Sequence, residues 1–107
     1  MYAWQLRQVT EGDIVSSSGS SRAVAWGDYD NDGLLDLVVA NYGGSANELY
    51  HNEGNGGSFT RGTQGDVVSG GSADSRAVAW GDYDNDGLLD LVVANIYGAN
   101  ELYHNED

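Results

Sequence analysis

Four carboxylates fall within nine residues of this chain, and the same nine residues occur twice. Asp28-Tyr29-Asp30-Asn31-Asp32-Gly33-Leu34-Leu35-Asp36 recurs unchanged as Asp82-Tyr83-Asp84-Asn85-Asp86-Gly87-Leu88-Leu89-Asp90. Carboxylates held this close repel one another, so a positive partner is needed to make their convergence favourable. A hard divalent cation suits them, since Ca²⁺ accepts about six to eight oxygen ligands in flexible geometry. The side chains of Asp28, Asp30 and Asp32 can turn inward together. Gly33 permits the bend that follows, the Leu34 carbonyl points back, and Asp36 closes the site from the far side. The alternative for such a stretch is an acidic Asp/Asn/Gly turn that binds nothing.

An EF-hand opens in the same way but needs a bidentate Glu at the twelfth position and a helix on either side. Here the twelfth positions are Val39 and Val93. Leu-Leu-Asp-Leu-Val-Val-Ala, which follows Gly33, reads as a buried strand, and so does the short apolar run Ala23–Gly27 before the loop. The acidic loop therefore joins two strands. No apolar face recurs at helical spacing over ten positions, and no helix is expected.

The elements around the loop are duplicated with it. Ser21–Asn41 is identical to Ser75–Asn95, Ala46–Glu53 matches Ala99–Glu106, and Gly12–Ser16 aligns with Gly65–Ser69. One period holds four expected strands: Ala23–Gly27, Leu35–Ala40, Asn47–His51 and Phe59–Gln64. Four short strands in a period of about fifty residues are the signature of a propeller blade. The expected fold is all-β, a β-propeller with two four-stranded blades per chain. Residues 1–20 would supply an outer strand (over 2–10), 21–74 the first repeat, and 75–107 the second repeat without its last strand. Two blades cannot enclose a channel, and each would leave an apolar face and an unpaired edge. The expected remedy is a cyclic homo-oligomer, of three chains for six blades or four chains for eight, with three favoured. In it the N-terminal strand of one chain would pair with Asn100–His104 of the next.

Bulk composition narrows the partners. The 107 residues carry 17 acidic and 4 basic side chains, a net charge of −13. Two divalent ions would offset only part of that charge, which excludes nucleic acid and anionic membrane as partners. There is no cysteine, hence no disulfide and no thiolate metal site. No apolar stretch is long enough to span a membrane, and the first residues lack the pattern of a signal peptide.

These residues resemble the FG-GAP or VCBS repeat, the calcium-loop blade of integrin alpha chains, some mushroom lectins and many bacterial surface proteins. The resemblance rests on Ala25-Trp26-Gly27 with the Asp loop, the strand Leu35–Asn41, Asn47-Glu48-Leu49-Tyr50-His51-Asn52, and Phe59-Thr60. It implies two Ca²⁺ per chain. One would be bound by Asp28, Asp30, Asp32 and Asp36 with the Leu34 carbonyl, the other by Asp82, Asp84, Asp86 and Asp90 with the Leu88 carbonyl. Trp26-Gly27 stands where the family name has Phe-Gly, and the family's Gly-Ala-Pro segment is missing from a chain without Pro. This departure implies the bacterial VCBS branch rather than an integrin-like role. Surface turns are copied between the repeats as faithfully as the aspartates, as expected of a recent or an engineered duplication.

Other residues have plainer expectations. Trp26, Trp80, Tyr50 and Tyr103 read as packing aromatics, and His51 and His104 as hydrogen-bonded side chains rather than metal ligands. Arg22 and Arg76 could pair with the loop acids or with a neighbouring chain. Tyr42 and Tyr97, with Asn47 and Asn100, could form a sugar platform. No nucleophile–base constellation is evident. The repeated glutamates Glu48, Glu53, Glu101 and Glu106 are the candidates left for a glycosidase-like pair, and no enzyme is expected. The expected function is a non-catalytic calcium-binding scaffold or interaction module, extracellular or at a cell surface. The alternative is a carbohydrate-binding lectin with sites between blades.

Overall fold

The computed structural model describes residues 6, 8–10, 13–16, 20–42, 46–54, 59–62, 74–96 and 98–106. Its first sheet is an antiparallel meander of β1 (Ser21–Gly27), β2 (Asp36–Asn41), β3 (Glu48–Asn52) and β4 (Phe59–Arg61). Its second is the three-stranded meander of β5 (Asp74–Gly81), β6 (Asp90–Ile96) and β7 (Glu101–Tyr103). The architecture is all-β, two twofold-repeated sheets with no closed barrel among the described residues.

Register is the same in both sheets. Trp26 pairs with Leu37 and Gly27 with Asp36 in the first, as Trp80 pairs with Leu91 and Gly81 with Asp90 in the second. Each outer pairing shifts at the same place, Ser21/Ala23 and Ser75/Ala77. The extra residue at each bulge is an arginine, turned out of the ladder.

Every residue of β2 is buried, which is why Leu-Val-Val-Ala runs apolar without alternation. Its two faces serve different cores. Leu37 and Val39, with Tyr50 of β3, form one cluster, covered in part by Ile14 and Phe59. Val38 turns the other way and packs with Leu91 and Val93 of β6, alongside Ala25, Leu49, Val78, Trp80 and Tyr103. The second cluster fills the space between the sheets, where β5 lies against β1 and β2. Removing a fully buried Val or Leu of this kind from water contributes about 1.5 to 3 kcal/mol.

One element was not expected. Residues Asp13–Ser16 form a single helical turn, α1, too short to show any periodicity in sequence. Asp13 Oδ2 accepts a hydrogen bond from the Arg61 amide at 2.9 Å, which ties α1 to β4 and seats Ile14 on the first cluster. The expected fourth strand of the first repeat ends at Arg61, with residues 63 and 64 outside the described part. Of the strand expected over 2–10, residues 2–5 and 7 also lie outside it. Leu6 and Val9 are exposed and belong to no strand.

Candidate metal centre

The loop between β1 and β2 is wound by its own first aspartate. Asp28 Oδ1 accepts from the Asp32 amide at 3.1 Å and Oδ2 from the Gly33 amide at 2.8 Å, while Asp32 Oδ1 accepts from the Leu34 amide at 2.9 Å. The second loop repeats these bonds at 3.0, 2.8 and 3.0 Å through Asp82 and Asp86. Such a tight coil needs left-handed backbone. It occurs at Asn31 (φ 60°) and Gly33 (φ 88°), and again at Asn85 (φ 63°) and Gly87 (φ 89°), residue types that tolerate it.

The ninth residue of each loop sits in β2 or β6 and is buried. Asp36 Oδ1 accepts from the Asn52 amide at 2.8 Å, and Asp90 Oδ1 from the Asn105 amide at 2.7 Å. The two asparagines also donate through Nδ2 to the carbonyls of Leu35 and Leu89, both at 2.9 Å. Asn52 and Asn105 thus fasten the far side of each loop to the end of β3 or β7. Sequence reasoning passed over them, although His-Asn-Glu recurs in both repeats.

All eight aspartates expected at the two sites converge. One carboxylate oxygen from each of Asp28, Asp30, Asp32 and Asp36 lies within 4.8 Å of the others, and the same holds for Asp82, Asp84, Asp86 and Asp90. Asp30 Oδ1 and Asp36 Oδ2 are buried without a hydrogen-bond partner among the described residues. Burial, then the Asp36 charge, pushes the Asp30 carboxyl up to about 6. Burial also raises Asp36, against the opposing effects of the Asn52 amide and His51. At Asp28 desolvation acts upward too, but the Gly33 and Asp32 amides prevail and the carboxyl is lowered. An oxygen-rich cluster with unpartnered buried carboxylate oxygens fits a hard cation.

The histidines enter these clusters, which their sequence position did not announce. His51 Nδ1 lies 2.9 Å from Asp30 Oδ2 and 3.3 Å from Asp36 Oδ1. His104 Nε2 lies 2.7 Å from Asp84 Oδ2, and its Nδ1 3.1 Å from Glu106 Oε2. Hydrogen bonds accepted by the Glu106 and Asp84 carboxylates push the His104 imidazole up to about 9. In this arrangement the imidazoles face the same carboxylates that a cation would engage.

Residues considered for other roles are otherwise occupied. The Arg22 guanidinium lies 4.1 Å above the Tyr42 ring rather than on a loop acid, and so covers one candidate sugar platform. Tyr97, the other, lies outside the described residues. Glu48 is buried, with Oε2 3.3 Å from Arg61 Nη2 and Oε1 accepting from Asn41 Nδ2 at 3.5 Å. That carboxylate holds strands together.

The model of the FG-GAP-like repeat matches residues 28–93, from the first loop through the second into β6. The chain belongs to the FG-GAP-like repeat family. Searches of curated proteins and of solved structures returned no significant match. Membership of the FG-GAP-like family indicates a non-catalytic repeat module. No helix among the described residues is long and apolar enough to cross a membrane.

Proposed function

We propose that this FG-GAP-like chain is a calcium-stabilised module that acts as a scaffold or interaction domain, with one Ca²⁺ at each Asp loop. Asp28, Asp30, Asp32, Asp36 and the Leu34 carbonyl hold the first ion. Asp82, Asp84, Asp86, Asp90 and the Leu88 carbonyl hold the second. The observation that carries this reading is the pair of buried, unpartnered oxygens on Asp30 and Asp36 inside a four-carboxylate cluster. Leaving such atoms unpaired is costly, and a divalent cation satisfies both at once.

The ion's role in this reading is structural. It ties the β1–β2 turn to Asp36, which Asn52 fastens to β3. Binding to the folded form alone stabilises by about 2.7 kcal/mol at a hundredfold excess over Kd. Trp26-Gly27 supports the VCBS branch of the family, and sites of this chemistry suit the calcium levels outside cells. Calorimetric titration tests the reading: it expects two Ca²⁺ per chain and a melting temperature that falls in EDTA. An unchanged melting temperature with no heat of binding would overturn it.

A further inference from the structure

The interface between the two sheets is built from repeated parts, and several of these parts have a second copy that is exposed. On the first sheet the interface uses Ala25, Val38 and Leu49, and on the second Val78, Trp80, Leu91, Val93 and Tyr103. Trp80 is its insert. Its Nε1–H donates to the Ala25 carbonyl at 3.2 Å, and its ring stacks on Tyr29 at 6.0 Å with 4° between the planes. The indole also covers Gly27, where a Cβ would lie 2.6 Å from Trp80 Cδ1. Polar bonds frame the apolar part: Asn31 Nδ2 donates to the Gly87 carbonyl at 3.2 Å and Asn105 Nδ2 to the Tyr29 carbonyl at 2.6 Å.

The receiving half of this interface recurs on the outer face of the second sheet. Ala79, Gly81, Tyr83, Val92 and Leu102 there copy Ala25, Gly27, Tyr29, Val38 and Leu49. Val38 is 0% exposed, but Val92 is 42%, Leu102 59% and Tyr83 59% exposed. A Cβ on Gly81 would meet nothing within 4 Å. Of the copies of the inserting half on the first sheet, Leu37, Val39 and Tyr50 are buried against Ile14 and Phe59, while Val24 is 58% and Trp26 54% exposed, with Phe59 6.0 Å from the Trp26 ring.

We propose that a second copy of this chain docks there, its Trp26 entering the seat formed by Gly81, Tyr83 and Ala79 of the first. The Trp26 indole then donates to the Ala79 carbonyl as Trp80 donates to Ala25. The occupant is argued from the molecule itself, because the exposed Trp26 copies the Trp80 insert, and Ala79, Gly81 and Tyr83 copy the Ala25, Gly27 and Tyr29 seat, of an interface that the chain already makes internally. Such contact is heterologous, so it propagates head to tail and either closes into a ring or continues as a filament. The inference rests on the repeat-module reading but not on its metal sites.

Two variants test it. Gly81→Leu fills the seat, since a Cβ there meets nothing within 4 Å and the Gly81 φ is not in the left-handed region. Trp26→Ala removes the insert and leaves the seat. Light scattering across a range of concentrations, in calcium and moderate salt, is expected to show wild type as multiples of the 11.4 kDa chain and each variant alone as a monomer. Mixing the two variants restores one insert and one seat, and a one-to-one dimer is expected. A wild type that stays monomeric throughout, or a Gly81→Leu protein that assembles as wild type does, would overturn the proposal. Calcium titration of the wild-type protein keeps the readings apart: binding with no assembly sinks the docking alone, and assembly with no binding sinks the metal reading alone.

Discussion

Trp80 reaches across from the second sheet to donate its indole N–H to the backbone carbonyl of Ala25, 3.2 Å away in the first. A side chain thereby helps to fix the distance and angle between the two sheets, alongside the Asn31–Gly87 and Asn105–Tyr29 hydrogen bonds at the rim of their apolar packing. Trp80→Phe keeps most of the ring and loses the donor, which leaves the Ala25 carbonyl without this bond. The expected loss is about 1 to 3 kcal/mol, read from urea unfolding monitored by circular dichroism.

Gly27 and Gly33 are both required, for opposite reasons. At Gly27 the backbone is ordinary but the space is closed by the Trp80 ring. Gly27→Ala is expected to destabilise by about 1 to 3 kcal/mol through overpacking. The same change at Gly81, where the space is open, is expected to be close to neutral in unfolding experiments.

At Gly33 a Cβ would meet nothing within 4 Å, but φ is 88°. Gly33→Ala therefore carries backbone strain alone, about 1 to 2 kcal/mol. It is expected to weaken calcium binding as well, since the Gly33 amide helps to wind the loop around Asp28. Thermal melts with and without calcium separate the two effects.

Asp30 is expected to act in opposite directions with and without metal. In the ion-free loop its charge is disfavoured by burial and by Asp36, so Asp30→Asn relieves a repulsion and raises the melting temperature in EDTA. With calcium present the same substitution removes a charged ligand and shrinks the calcium-induced rise. A variant that lowered the melting temperature equally in both conditions would show that Asp30 serves packing instead.

Much of this organisation was legible before any coordinates. The loop aspartates, the strands and their order followed from an exact internal repeat, β-branched runs and turn residues. The parts that escaped are those set by tertiary approach. Asn52 and Asn105 close a repeated segment but carry no charge, and their role appears only once β3 and β7 end beside Asp36 and Asp90. His51 is separated from the loop in sequence and reaches it only because β3 pairs with β2. The turn at Asp13–Ser16 is shorter than one hydrophobic period, so no pattern could announce it.

The identity of Ser21–Asn41 and Ser75–Asn95, with matching registers in the two sheets, also bears on how the chain reaches this structure. Each hairpin finds two chemically equal addresses during folding, one within its own chain and one on any neighbour. Among the described residues, the flanking pieces α1 and β4 against the first sheet tell the addresses apart. Refolding is then a contest between correct placement and exchange of hairpins between chains, and concentration shifts that contest toward exchange.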